Sequence, residues 1–195
     1  MKKIAVLVSG GGTNLQAIID AKARGEISGE IALVVSSKAE AYALERAKKA
    51  GIATEILPRK SYNDVHEYST AMRNLLIAAG IDIVVYAGFM TILDESVCEA
   101  FEGRMINVHP SLIPSFCGVG YYGLRVHEEA LKRGVKVTGA TVHIVTPECD
   151  GGPILLQKAV EVHEDDTPET LQKRVMEEAE WVLLPRAVEI LCRGE

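Results

Sequence analysis

Asn107 and His109 stand two residues apart in the run Met105-Ile106-Asn107-Val108-His109-Pro110. The run is short, apolar and β-like, and a strand's period of two puts the amide and the imidazole on one face. Pro110 disfavours helix at the residue before it, so His109 is expected at the C-terminal end of the strand. Open α/β sheets place their ligand sites at that end. An amide donor and an imidazole facing one cleft can polarise a carbonyl and move a proton.

Two other segments carry chemistry. In Ser9-Gly10-Gly11-Gly12-Thr13-Asn14, glycines that let the backbone approach a phosphate precede helical periodicity, and the free N–H groups of a helix start attract the anion. Leu15 occupies the place where a dinucleotide fingerprint needs a small residue. The next apolar run ends in Ser36-Ser37-Lys38, without an acid for a ribose, and no Walker lysine follows the glycines. The loop therefore reads as a monophosphate site, with a purely structural turn as the alternative. Asp150, next to Gly151 and Gly152, is a solvated turn residue unless the fold carries it to His109. His143, alternating with Thr141, reads as a satisfied structural histidine, and His66, His127 and His163 carry no functional reading.

The elements that must position these groups alternate in type. Apolar runs at 4–8, 31–35, 53–57, 81–87 and 105–108 have the continuous character of strands buried on both faces. Between them lie helical patterns over 13–24, 39–49, 62–79 and 94–101, several closed by glycine. This predicts an α/β fold, a doubly wound, mostly parallel sheet of Rossmann type. Beyond residue 115 the pattern changes to a glycine-aromatic loop (116–123), a helix (126–133) and two strands (137–146 and 153–162) joined as a β-hairpin. A last helix follows the cap Thr167-Pro168, with Pro185 expected to interrupt it.

The 195 residues suit one well-buried core, so a single domain is expected over 1–195, in two parts, 1–115 and 116–195. Hydrophobic content of 48% and charged content of 25% are those of a soluble globular chain. A net charge of −6 gives no footprint for nucleic acid or an anionic membrane, so any phosphate must be held locally. No apolar run reaches the length of a membrane span. The four cysteines are scattered without a Cys-x-x-Cys pair, which points to reduced thiols, a cytoplasmic location and no metal. Cys117 and Cys149 read as small, buried or half-buried side chains.

Taken together, 9–16, 87–90 (Ala-Gly-Phe-Met), 106–114 and Asp150-Gly151-Gly152-Pro153-Ile154 resemble the phosphoribosylglycinamide formyltransferases, a branch of the folate-dependent formyltransferases. The Asn-x-His-Pro-Ser block with the distant Asp-x-Gly-Pro marks the wider superfamily. The first glycine block singles out the branch. The resemblance implies transfer of a formyl group from 10-formyltetrahydrofolate to the amine of 5'-phosphoribosylglycinamide, a step of purine biosynthesis, without a metal. It implies a nucleotide-binding half (1–115) and a half completing the folate pocket (116–195).

By the same resemblance Gly11, Gly12, Thr13 and Asn14 hold the substrate's ribose phosphate, with Pro110 and Glu180 as further substrate contacts. Met90, Thr91, Ile92 and Leu93, with Asn107, line the pterin pocket, and the segment 145–150 closes it. Asn107 bonds the formyl oxygen, His109 is the general acid, and Asp150 is the carboxylate that raises its pKa. Thr91 stands where the family often has a basic residue, Trp181 where it has histidine, and the 116–123 loop is longer than the usual connection. A formyltetrahydrofolate deformylase and a non-catalytic folate- or nucleotide-binding module are the alternatives. Monomer and homodimer both stay open.

Overall fold

The computed structural model describes residues 1–194 and contains one seven-stranded sheet flanked by helices. In chain order the strands are β1 (Lys3–Val8), β2 (Glu30–Ser36), β3 (Ala53–Ile56), β4 (Ile83–Tyr86), β5 (Met105–His109), β6 (Val137–Ile144) and β7 (Ile154–Glu161). The helices are α1 (Thr13–Ala23), α2 (Tyr42–Lys49), α3 (Val65–Ala78), α4 (Glu95–Ala100), α5 (Leu124–Arg133), α6 (Pro168–Val175) and α7 (Trp181–Arg193).

The strand order is β3-β2-β1-β4-β5-β6-β7. Pairings from β3 through β5 are parallel, and β6 and β7 add antiparallel. The chain thus winds outward in both directions from β1 and β4, and the crevice at such a reversal lies beyond the strands' C-terminal ends. Those ends carry Ser9, the 87–90 segment and His109. The expected fold is the observed one, including the β6–β7 hairpin.

The apolar runs lack alternation because both faces of the sheet are covered. Ile4, Val6 and Val8 pack with Leu15 and Ile18 of α1 and with Leu184 and Val188 of α7. Ala5 and Leu7 face the other way, onto Tyr68, Met72 and Leu76 of α3. Fully burying one such side chain is worth roughly 1.5–3 kcal/mol, so the two layers supply the main driving force.

Three boundaries differ from the sequence reading. The second helix begins at Tyr42 rather than 39, and the third at Val65, after a separate 3-10 turn at Arg59–Ser61. Asp64 fixes the latter start, since its side chain accepts from the Glu67 N–H at 2.8 Å. Pro185 does not break the last helix. The backbone widens instead one turn earlier, in a π turn at Met176–Glu180, and Pro185 lies buried near the start of α7. A proline close to a helix start removes few intrahelical bonds. Among the described residues no helix is long and apolar enough to cross a membrane.

Candidate active site

β5 delivers His109 as its last residue, and the register of β6 decides what surrounds it. Asn107 pairs with His143 and His109 with Thr141. Thr141 Oγ1 donates to the Ser111 carbonyl at 2.7 Å and accepts from Ile113 N–H at 3.1 Å, pinning the turn that follows Pro110. His109 itself is 4% exposed.

Asp150 reaches this point from the loop between β6 and β7. Gly152 lies so close to the strand that a Cβ there would strike the Ile144 carbonyl, so only glycine lets the loop fold back this tightly. Asp150 adopts a left-handed backbone, φ 55°, a region sparsely populated by residues other than glycine, asparagine and aspartate. Its Oδ2 lies 3.5 Å from His109 Nδ1 and accepts from Gly118 N–H at 2.9 Å. Its Oδ1 lies 3.4 Å from both Asn107 Nδ2 and His143 Nε2. Residues 43 positions apart thereby meet, and Asp150 packs against Asn107 and His109 instead of lying in a solvated turn.

His143 is buried with both ring nitrogens partnered, as the sequence reading expects, and one of its partners is Asn107. It is 2% exposed and belongs to the cluster, with Nε2 3.2 Å from Asn107 Nδ2. Its Nδ1 is 2.9 Å from the Ile144 carbonyl, which can only accept, so Nδ1 carries a proton. The signal available in sequence was its place on the face of β6 that carries Thr141. Which neighbour that face met depended on strand pairing.

The electrostatics follow from burial and these partners. Burial pulls the His109 imidazole below its ordinary range, and the Asp150 charge and the Phe116 carbonyl pull upward without overcoming it. The carboxylate acts in the expected direction, but burial wins. For Asp150 burial pushes the carboxyl up, yet the His143 hydrogen bond, the His109 charge and the Gly118 N–H together hold it below the usual carboxylate range. Asp150 is thus ionised at neutral pH beside an imidazole whose protonation is costly. Such a pair can exchange a proton with a reacting group. The Phe116 carbonyl, 2.8 Å from His109 Nε2, fixes the tautomer with the proton on Nε2.

The glycine loop lies two strands away. Gly12 caps α1 in the left-handed conformation, φ 73°. The Gly10 and Gly11 carbonyls are tied to α2, accepting from Ala43 N–H at 3.0 Å and Arg46 Nε at 2.8 Å. The first N–H groups of α1 lack intrahelical acceptors, as at any helix start. Thr13 lines a cleft of about 320 Å³ with Gln16, Arg46 and Trp181. Asn14 is buried, and its Nδ2 donates to Glu180 Oε2 at 2.8 Å while its Oδ1 has no partner. The π turn presents Glu180 to α1; such turns are frequent at functional sites. Burial pushes the Glu180 carboxyl up to about 7, opposed by the Asn14 bond.

Ser9 links the two regions, since its Oγ accepts from Met90 N–H at 3.0 Å and contacts Ser37 Oγ at 2.7 Å. Of the segment after β4, Met90 and Ile92 are exposed, an apolar shelf beside buried polar groups. Leu93 packs in the core, and the Tyr68 phenol donates to the Leu57 carbonyl at 3.2 Å. Any ligand contact from Leu93 must therefore be through its backbone. Pro110 is half-buried directly after His109. Among the described residues no group of three or more His, Cys, Asp or Glu is placed to hold a metal ion.

The formyl transferase family pattern matches residues 2–188. The trifunctional purine biosynthetic protein adenosine-3 of Homo sapiens is 43% identical over 192 residues, which is 98% of this chain and 18% of that protein. The chain thus spans about a fifth of the length of those relatives. The phosphoribosylglycinamide formyltransferase of Haemophilus influenzae is 41% identical over 194 residues, 100% of this chain and 89% of that one. Among solved structures, glycinamide ribonucleotide transformylase 1 from Symbiobacterium toebii superposes with a TM-score of 0.93 at 43% identity, covering 100% of this chain and 89% of that chain.

Proposed function

The chain belongs to the formyl transferase family, and from that premise we propose that it transfers a formyl group from 10-formyltetrahydrofolate to the amine of 5'-phosphoribosylglycinamide. The products are formylglycinamide ribonucleotide and tetrahydrofolate. The observation that carries the reading is the meeting of Asn107, His109 and Asp150 at the end of β5. Binding alone would not need a buried acid–base pair and an amide donor at one point.

In this reading the folate supplies the formyl carbon, and the chain's own residues do the rest. Met90 and Ile92 offer the apolar shelf for a pterin ring, with the backbone of Thr91 and Leu93 beside it. The N–H groups of Gly11, Gly12, Thr13 and Asn14 take the ribose phosphate. Glu180, held by Asn14, faces the glycinamide amine, and Pro110 packs against the nucleotide. Asn107 Nδ2 donates to the oxygen that gains charge when the amine adds. His109 Nε2–H is the second donor, released from the Phe116 carbonyl. Asp150 faces Nδ1, where it stabilises any proton the imidazole takes up, and receives the amine's proton directly or through water; that proton passes to the folate nitrogen as its bond to the formyl carbon breaks, releasing tetrahydrofolate. Small-molecule partners and a cytoplasmic setting fit this chemistry.

The test is purified protein with both substrates, following tetrahydrofolate release. Turnover that needs the nucleotide is the expected result. Folate turnover without the nucleotide would indicate a deformylase, and binding without turnover a sensing module; either result overturns the proposal.

A further inference from the structure

Two loops meet over the His109–Asp150 pair: the segment after β5, which includes 116–123, and the β6–β7 loop, 145–153. Their junction is the bond from Gly118 N–H to Asp150 Oδ2, 2.9 Å long. Cys117 immediately precedes Gly118, and Cys149 immediately precedes Asp150. Each thiol is therefore one residue from the same hydrogen bond, one on either side of the junction. Cys149 is exposed and Cys117 half-buried, with Sγ donating to the Pro114 carbonyl at 3.4 Å. The backbone is left-handed at Phe116 (φ 49°) and Asp150 (φ 55°), so both loops are held in sparsely populated conformations beside the thiols.

We propose that Cys117 and Cys149 form a reversible disulfide that locks the two loops together and shuts the site under oxidising conditions. The oxidant is hydrogen peroxide. The more exposed Cys149 thiolate takes one peroxide oxygen as the O–O bond breaks, giving a sulfenic acid and, once protonated, one water. The Cys117 sulfur then attacks that sulfur, the S–S bond forms, and a second water leaves. The two thiols lose two electrons and two protons, and the peroxide gains them.

The surroundings set the conditions. Burial pushes the Cys117 thiol up, and the Asp150 charge adds to it. Burial does the same to Cys149, followed by the charges of Asp150 and Cys117. Thiolate is the reacting form, so both resist oxidation at neutral pH and should react faster as pH rises. Transient, regulatory disulfides are the kind found in reducing compartments.

The full chain is treated with hydrogen peroxide, alkylated, and mapped by mass spectrometry. The expected result is a fall from four alkylatable thiols to two, with the Cys117 and Cys149 peptides joined and then released by dithiothreitol. Cys98 in the core and Cys192 against Gly29 are internal references. The joined form should lose formyl transfer and regain it on reduction. Cys117→Ser and Cys149→Ser should each keep, after peroxide, the rate of their own reduced form. A different pairing, four thiols still free, or a joined form with undiminished turnover overturns the proposal. The covalent readout needs no substrate, so it stands apart from the assay of the proposed reaction, on which only the turnover arm rests.

Discussion

His109 Nε2 donates to the Phe116 carbonyl at 2.8 Å, and this leaves Nδ1 directed at Asp150 Oδ2, 3.5 Å away. The Phe116 bond thus orients the imidazole, and its unprotonated Nδ1 faces the carboxylate that would hold a proton taken up there. Replacing Asp150 by Asn keeps the shape and removes the charge. The His109 pKa, already lowered by burial, should fall further. We expect kcat to drop about 10²–10⁴-fold with substrate binding retained. His109→Asn should be as severe and the double variant far from additive, measured as a double-mutant cycle in kcat. Additive losses would show that the two groups do not act as a unit.

Glu180 should titrate near neutrality, because burial holds its carboxyl at about 7. If it receives the glycinamide amine as a carboxylate, KM for the nucleotide should fall as pH rises through that value. Glu180→Gln should flatten the profile. The stability effect has the opposite sense. The folded pKa lies above the ordinary value of 4.5, so this group's contribution is complete below 4.5 and is lost as pH rises through about 7. The loss is on the order of 3 kcal/mol, read as the melting temperature of the native chain against Glu180→Gln from pH 4 to 8.

Gly12 and Gly11 should separate folding from binding. A Cβ on Gly12 would lie 2.6 Å from Ala43 Cβ, on a backbone at φ 73°. Gly12→Ala is therefore a packing variant, expected to cost about 2 kcal/mol. Gly11 has open space around it. Gly11→Val should leave the melting temperature nearly unchanged and raise KM for the nucleotide, with folate affinity retained by calorimetry. Equal losses for both ligands would argue against a phosphate at this loop.

Arg174 should matter for stability and not for turnover. It clasps Asp166 with two bonds of 2.6 and 2.7 Å and also donates to the Glu161 carbonyl. The Arg174 hydrogen bond holds the Asp166 carboxyl well below the usual range. A depressed carboxylate stabilises above its unfolded pKa and loses that contribution as pH falls. Arg174→Ala should cost about 2 kcal/mol at pH 7 and progressively less in acid, by urea titration.

The parallel half of the fold was legible because each buried strand is an uninterrupted apolar run and several helices close on glycine. His109 before Pro110 marked the strand end on which the site is built. What the chain did not disclose were relations set by tertiary pairing. His143 is the satisfied histidine it looked, but nothing local says that β6 lies antiparallel to β5, so its contact with Asn107 was not legible. The packing of Gly12 against α2 was equally hidden, because α2 meets it only through the fold. Pro185 looked like a break, because a widened turn upstream has no composition of its own. Cys149 looked buried or half-buried and is exposed.

That widened turn, Met176–Glu180, has a consequence for how the site tolerates insertion and loss. A π turn is a helix with one residue too many for its length, and the surplus is stored as a bulge. Deleting any one residue from 176–179 would let the segment relax into regular helix at little energetic cost. The flanking helices would keep their relative phase, because the widened turn alone absorbs the surplus residue. Glu180 lies within that turn, so the change would fall on its 2.8 Å bond to Asn14 and not on the packing of α6 or α7. The aim of this carboxylate is therefore written in the number of residues between α6 and α7, and only secondarily in which residues they are.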